Sequence, residues 1–167
     1  MFPIKIKQKA EKVFKLCLKK KVKLTFAESC TGGLLSSLIT SFPNSSKIFS
    51  CGYVTYSNLS KEKMLGVSKK TLKKYGAVSW QVAREMASSA AIKANADIGI
   101  GITGIAGPGG ATKNKKVGDV YVALVHFKNK KFEQALDDGF LSLKGSREHI
   151  RLSSVDCALD CLLTVLE

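Results

Sequence analysis

The sequence predicts an α/β fold: a three-layer α/β/α domain with a mixed, mainly parallel sheet and a C-terminal hairpin plus helix. Segments with helical periodicity alternate with short β-branched runs, which is typical of strands covered by crossover helices. Two adjoining strands near the C-terminal end indicate antiparallel pairing, and one more amphipathic helix follows them. A chain of 167 residues with 45% hydrophobic composition can fill one core, so we expect one domain over residues 1–167.

The first half of the chain contains two predicted strands, each followed by a helix. The spacing of apolar residues predicts an amphipathic helix over about Ile4–Lys20. Lys23–Ala27 is the first predicted strand, and the helix after it ends before Pro43 because proline disfavours a helical residue in front of it. Phe49–Tyr56 is rich in aromatic and β-branched residues, which predicts the second strand, and Ser60–Leu65 follows as a short helix.

The second half adds a helix of small residues, a glycine-rich strand and a hairpin. Ser79 is placed to cap a long, alanine-rich helix, which predicts close packing on the sheet. Asp97–Thr103 is the third predicted strand, and its alternating glycines let another element lie close against one face. Gly118–Phe127 and Lys131–Leu141 form the predicted hairpin, and the last helix begins near Ser146.

The basic composition does not by itself indicate a nucleic-acid partner. The formal net charge is +14, but the lysines are scattered along the chain and only Arg84, Arg147 and Arg151 are arginines. Arginine is the preferred reader of bases and phosphates, and no aromatic residues interleave with the lysines, so nucleic acid is not an expected partner. We interpret the charge as solvated lysine faces whose field attracts an anionic substrate.

Membrane and metal chemistry are not indicated either. No segment approaches the ~18 consecutive apolar residues of a membrane span, and the N-terminal segment lacks the apolar region of a signal peptide, so we expect a cytoplasmic protein with no membrane partner. The five cysteines include no Cys-x-x-Cys pair. Cys157 and Cys161 share a helical face, but His126 and His149 are far from them in sequence, so we expect reduced thiols and no metal site.

The segment Leu24–Gly33 points most directly to chemistry, because a serine follows an apolar strand and precedes a glycine-punctuated helix. Such a side chain lies at the carboxyl edge of the sheet, beside the unpaired N–H groups of a helix start, where anions are stabilised. Ser29 is therefore placed like a nucleophile or a phosphate ligand. Two alternatives stay open: Ser29 as an ordinary helix N-cap, and the neighbouring Cys30 as the nucleophile.

Three polar, glycine-bearing segments follow predicted strands, at 28–33, 56–61 and 103–110. The carboxyl ends of parallel neighbours would bring these segments to one crevice, where open α/β sheets bind ligands. Neither histidine lies in them, and a desolvated lysine can accept a serine proton instead. Lys61 is the predicted base, with Tyr56 as a proton relay or orienting group. The alternative is that Lys61 is a solvated lysine at a helix start.

Five groups of residues stand in a specific order along the chain: Ala27–Gly33, Tyr56–Asn58 with Lys61 and Leu65–Val67, Gly76–Ser79, Thr103–Pro108, and Val117–Gly118. Together, over about Ile4 to Glu167, they resemble the CinA C-terminal domain family of nicotinamide-nucleotide amidases. The resemblance implies hydrolysis of the carboxamide of nicotinamide mononucleotide (NMN) to nicotinate mononucleotide and ammonia, without a cofactor. It also implies Ser–Lys catalysis, carried by Ser29 and Lys61 with Tyr56 beside them.

The predicted substrate-binding residues combine positions that match the family's pocket with N–H groups expected to hold the oxyanion. They are Thr31, Gly32, Gly33, Asn58, Thr103, Gly104 and Arg147. Arg147, near the start of the last helix, is the predicted phosphate ligand, and the alternative is a surface salt bridge with Glu148 or Asp119. The loop 109–116 carries more lysine than the family pattern leads us to expect.

The resemblance leaves assembly and a second class of function open. Longer members of the family carry an extra N-terminal domain that this chain lacks, so only the amidase half is implied, and we expect a homo-oligomer. The alternative to an amidase is a non-catalytic, basic binding module linked to DNA uptake or competence. The serine, lysine and glycine-rich loops have no use in such a module, whereas the positive charge is compatible with it.

Overall fold

A computed structural model describes residues 2–167, except for the side chains of Asp137 and Asp138. The strands are β1 (Leu24–Glu28), β2 (Phe49–Val54), β3 (Ile98–Gly104), β4 (Asp119–Lys128) and β5 (Lys131–Ser142). The helices are α1 (Ile4–Lys20), α2 (Leu34–Thr40), α3 (Asn58–Leu65), α4 (Lys69–Tyr75), α5 (Trp80–Ala94) and α6 (Arg147–Leu166).

The five strands form one mixed sheet in the order β2-β1-β3-β4-β5. β1 pairs in parallel with β2 and β3, whereas β4 runs antiparallel to both of its neighbours, β3 and β5. Helices α1, α2 and α6 cover one face over the main apolar core, and α3, α4 and α5 lie on the other. The predicted α/β class with helices on both sides of a mixed sheet is therefore confirmed.

The close approach of α5 to the sheet explains the alternating glycines of β3. A Cβ atom at Gly99 would collide with the carbonyl oxygen of Ala87, and one at Gly101 with that of Ala83. Backbone therefore lies directly against backbone at this point, as the small residues of α5 predict. The contact fixes α5 over β3 and so fixes residues 77 and 78, which precede α5, beside the carboxyl end of the sheet.

Two helices differ from the sequence prediction. Helix α3 begins at Asn58, earlier than expected, because Ser57 caps it: the Ser57 side chain accepts from Ser60 N–H while the Ser60 hydroxyl accepts from Ser57 N–H. Helix α4 was not predicted. Its sequence is mostly lysine and it buries only Leu72, so it has too few apolar residues to produce a helical period.

Candidate active site

The carboxyl ends of β1, β2 and β3 are joined by hydrogen bonds at the point where Ser29 follows β1. Ser29 N–H donates to the carbonyl of Ile102 in β3 over 2.9 Å. Thr55 N–H, just after β2, donates to the carbonyl of Glu28 over 2.9 Å. The parallel pairing therefore continues one residue past the strands on both sides, and Ser29 cannot shift without breaking the edge of the sheet.

Ser29 and Lys61 form a direct pair at this edge. Lys61 Nζ lies 2.9 Å from Ser29 Oγ and 2.8 Å from the carbonyl oxygen of Thr55, to which it donates. The Lys61 side chain is only 1% exposed and Ser29 is 8% exposed. Lys61 is thus not the solvated lysine of the alternative interpretation, since α3 directs it inward from its first turn.

Burial changes the acid–base chemistry of the pair. Removal from water lowers the pKa of Lys61 from 10.5 to about 8, and the neighbouring Cys30 acts in the opposite direction with a smaller effect. The Lys61 amine is therefore partly neutral near physiological pH and can accept a proton. Burial also raises the pKa of the neighbouring Cys30 thiol to about 11, which keeps it protonated and makes it a poor nucleophile beside Ser29.

A buried carboxylate organises the turn that carries Ser29. Glu28 is fully buried, and its side chain accepts hydrogen bonds from the N–H groups of Gly33, Leu35 and Ser36 and from the Ser36 hydroxyl. A negative charge at the first turn of α2 is favourable because the helix dipole is positive there. No pattern in the sequence assigns a role to Glu28. The only available signal was an acidic residue at the end of an apolar strand.

This arrangement excludes the alternative that Ser29 is an N-cap, and it corrects the expectation that the N–H groups near Thr31 to Gly33 hold an oxyanion. Ser29 is not the N-cap of α2, because Gly33 occupies that position and Glu28 supplies the acceptor. Gly33 N–H donates to Glu28 and Gly32 N–H donates to the Ser29 carbonyl, so neither is available to hold an oxyanion. Thr31 is fully buried, and none of Thr31, Gly32 and Gly33 lines the cavity at Ser29.

A cavity of about 260 Å³ opens over the Ser29–Lys61 pair. Its walls come from the segments after β1, β2 and β3, from the residues before α5 and from the start of α6. The predicted site residues that line it are Ser29, Tyr56, Asn58, Lys61, Thr103, Gly104 and Arg147. The topology therefore brings together both predicted catalytic partners of Ser29 and four of the predicted substrate-binding residues. His126 and His149 do not line this cavity.

Arg147 braces one wall of the cavity. Its guanidinium donates to the Tyr56 hydroxyl over 2.8 Å and to the Gly107 carbonyl over 2.6 Å. In the described part of the chain it forms no ion pair with Glu148 or Asp119, and the Asp119 carboxylate accepts from Lys116 N–H instead. Tyr56 is thus held by Arg147, and the described hydrogen bonds of Lys61 do not include Tyr56. On another wall the Thr103 hydroxyl donates to the Ala77 carbonyl over 2.8 Å.

Among residues 2–167, outside the two undescribed side chains, no group of three or more His, Cys, Asp and Glu side chains is arranged to hold a metal ion. Over the same residues no helix is both long enough and apolar enough to cross a bilayer.

Fold and site together define a class: α/β domains with a buried serine–lysine pair at the carboxyl edge of a mixed sheet. A sequence profile of the CinA C-terminal domain matches residues 6–166, and this chain belongs to that family. A relative in Caldanaerobacter subterraneus, named as competence-damage inducible, is 45% identical over 157 residues, which is 94% of this chain. That match is 37% of the relative's length, so the chain spans about a third of the curated relatives it matches.

Solved structures agree with the family assignment. The competence/damage inducible protein CihA from Agrobacterium tumefaciens superposes with a TM-score of 0.93 at 35% identity, covering 100% of this chain and 99% of that one. A CinA superfamily protein from Escherichia coli superposes with a TM-score of 0.86 at 33% identity, covering 96% and 90% respectively. The fold is therefore the fold of CinA superfamily proteins.

Proposed function

We propose that this domain is an amidohydrolase that converts the carboxamide of NMN to the carboxylate of nicotinate mononucleotide and releases ammonia. The observation that carries the proposal is the 2.9 Å contact between Ser29 Oγ and a buried Lys61 Nζ whose pKa is lowered to about 8. A serine needs a nearby base to become a nucleophile, and a desolvated lysine amine is such a base. The resemblance of the motifs to nicotinamide-nucleotide amidases supplies the substrate.

The reaction divides into acylation and deacylation. Ser29 Oγ attacks the amide carbon while Lys61 takes the hydroxyl proton, and the tetrahedral intermediate collapses when Lys61 returns that proton to the departing nitrogen. Ammonia leaves and an ester to Ser29 remains. Water then attacks the ester, Lys61 accepts its proton and passes it back to Ser29 Oγ, and the carboxylic acid is released. The two steps together consume one water molecule, release one ammonia molecule and regenerate Ser29 and Lys61.

The Thr55 carbonyl supports this role of Lys61. A neutral lysine amine has two N–H donors and one lone pair. When one N–H donates to the Thr55 carbonyl, the lone pair can face Ser29 Oγ at 2.9 Å. The carbonyl therefore orients the base without adding a negative charge, which would raise the pKa of the Lys61 amine and hold its proton.

The test is ammonia release from NMN by the purified protein, compared with Ser29→Ala. Loss of a covalent nucleophile costs several decades of rate, so we expect at least about a 1000-fold fall in kcat with unchanged circular dichroism. Wild-type activity should survive exhaustive chelation. Ser29→Ala activity above about a hundredth of wild type would remove Ser29 as the nucleophile.

The same assay separates the amidase from the basic binding module. No ammonia release, together with binding to generic DNA that weakens steeply with salt, would favour the module. A single-domain organisation, a homo-oligomeric assembly and a cytoplasmic location stay predictions from the sequence.

A further inference from the structure

A second depression continues from the catalytic cavity along the surface. It has a volume of about 320 Å³ and shares with the cavity the residues Ala77, Val78, Ile105 and Gly110. Beyond them it is lined by Tyr75, Gly76, Thr112, Asn114 and Lys115. We call this depression the Lys115 groove. Because the two spaces share a wall, a ligand too long for the cavity over Ser29 would extend into the groove.

The Lys115 groove is cationic. None of its lining residues is acidic. Lys115 Nζ contacts the neutral Tyr121 hydroxyl at 3.0 Å, and no described carboxylate forms an ion pair with it, so its charge is not neutralised. Lys74 and Lys116 are the sequence neighbours of the lining residues Tyr75 and Lys115, and they add positive charge beside the groove. An anion in the groove would therefore meet a positive potential and at least one mobile ammonium group.

Arg147, which lines the cavity over Ser29 but not the groove, offers less to an anion. Arg147 already donates to the Tyr56 hydroxyl and the Gly107 carbonyl, so binding a phosphate there with the full guanidinium fork would break the brace on Tyr56. Lys115, by comparison, gives up only a contact to a neutral phenol. The exchange of partners favours the groove, because a phosphate oxygen is a stronger acceptor for an ammonium group than a tyrosine hydroxyl is.

We infer that the Lys115 groove holds the phosphate end of the substrate, that Lys115 is the residue that selects a nucleotide over a nucleoside, and that Arg147 is a positioning residue for Tyr56. The inference rests on the proposed function for the identity of the substrate. The carboxamide then lies over Ser29 and Lys61, and the ribose lies along the shared residues between the two spaces. The lysine-rich loop 109–116, which contains Lys115, would then bind the phosphate.

The kinetic test compares kcat/KM for NMN with kcat/KM for nicotinamide riboside, which lacks the phosphate. Lys115→Met should reduce the preference for NMN about 10- to 100-fold, as expected for a lost charge-assisted contact, with little change for the riboside. Lys115→Arg should retain most of the preference. Lys113→Met is the matched control: it removes the same charge from the same loop outside the groove, and we expect less than about a twofold change.

Three kinetic results would overturn the inference. They are an unchanged preference in Lys115→Met, an equal loss in Lys113→Met, which would mean that only the general field matters, and a loss in Arg147→Ala confined to NMN. If Arg147 positions Tyr56, Arg147→Ala should lower kcat for both substrates by the same factor.

A binding measurement keeps the groove testable if the amidase proposal fails. Ribose 5-phosphate is titrated into wild type, Lys115→Met and Lys113→Met by calorimetry. Weaker binding in Lys115→Met alone supports the groove even when no pyridine amide is hydrolysed. Absence of binding to wild type, or equal affinity in all three proteins, contradicts it.

Discussion

The turn after β1 and the loop after β3 form facing parts of the same site, yet they are built in opposite ways. Residues 28–31 are all buried, and the turn is tied to β3 through Ser29 N–H and to α2 through the Glu28 carboxylate. Residues 108–114 are all exposed, and a single bridge between Thr112 and Lys115 connects the outer part of that loop. The first segment has one conformation that the sheet dictates, and the second is constrained mainly at its ends.

Under the proposed function, this difference divides the site into a rigid part that carries the catalytic groups and an exposed part that binds the phosphate. A nucleophile and its base must keep their distance to within a fraction of an ångström, so they need a frame that the core stabilises. A phosphate contact tolerates more motion, because a lysine on an exposed loop reaches its ligand as a flexible point charge. The loop can therefore change in sequence, and with it the preferred substrate, while the turn after β1 keeps the same reaction.

Loss of the base tests the catalytic side and should have the largest effect. Lys61→Met keeps the length and apolar stem of the side chain but removes the amine, so we expect kcat to fall about 100- to 10,000-fold. Wild-type kcat should rise with pH through about 8, because the neutral amine is the active form and burial lowers the Lys61 pKa to that value. A pH profile with no inflection between 7 and 9, or an active Lys61→Met protein, would show that another group is the base.

The same substitution should stabilise the fold. Folded Lys61 has a pKa of about 8, against 10.5 in the unfolded chain, so the unfolded state holds more protons between these values. Stability of wild type therefore rises with pH across this window, and below it the buried charge costs up to about 3 kcal/mol. Lys61→Met should therefore be more stable than wild type at pH 7. The gain should be smaller than about 3 kcal/mol, because the Thr55 carbonyl loses its hydrogen-bond donor in the variant.

Denaturant unfolding at pH 7 and at pH 10 measures this effect. The advantage of Lys61→Met should shrink as the pH rises, since the neutral amine of wild type no longer carries the desolvation cost. A difference between the two proteins that is the same at both pH values would mean that the Lys61 charge is not what destabilises wild type.

The next prediction tests whether the Glu28 carboxylate makes the turn after β1 more rigid than the loop after β3. Glu28→Gln places an NH₂ group against the N–H donors of α2, so we expect a loss of about 2–3 kcal/mol in the free energy of unfolding and a lower kcat at nearly constant KM. Glu11→Gln makes the same chemical change on the exposed face of α1 and should cost less than about 0.5 kcal/mol. Equal stability of the two variants would mean that Glu28 does not anchor the turn.

A pair of glycine substitutions gives the smallest effect and the most direct comparison. Gly33, in the turn, has a φ of 92°, which strains any other residue, so Gly33→Ala should cost about 1–2 kcal/mol. Gly109, in the loop, lacks such a φ and has open space around its Cβ position, so Gly109→Ala should change stability by less than about 1 kcal/mol and in the favourable direction. Thermal unfolding of both variants is sufficient, and the reverse order would contradict the proposed difference in rigidity.

The sequence predicted the sheet and the proximity of Ser29 and Lys61 better than the surroundings of that pair. Strands such as β3 were predictable because glycine and isoleucine alternate with the period of a strand, and this pattern depends only on local residues. The convergence of Ser29 and Lys61 followed from the rule that parallel strands share a carboxyl edge. The role of Glu28 was not predictable, because nothing local distinguishes a carboxylate that caps the next helix from one exposed to solvent.

The sequence predicted Lys61 as a desolvated base but left a solvated lysine open as the alternative, and it did not predict the contacts of Arg147. Whether a lysine in the first turn of a helix faces water or a sheet edge depends on where that helix packs, and α3 has almost no apolar periodicity to show it. The contacts from Arg147 to Tyr56 and Gly107 join residues far apart in the chain, and only the assembled fold brings them within hydrogen-bond distance.

The Thr55 carbonyl has a practical consequence for anyone who edits this site. It belongs to the main chain, so every substitution at position 55 retains the oxygen that orients Lys61. The side-chain oxygen of Thr55, by contrast, is buried and has no hydrogen-bond partner among the described residues, so Thr55→Val should be harmless. An alanine scan would therefore report position 55 as unimportant. If the serine–lysine pair were moved into another scaffold by copying side chains alone, the main-chain carbonyl that orients the lysine would be lost.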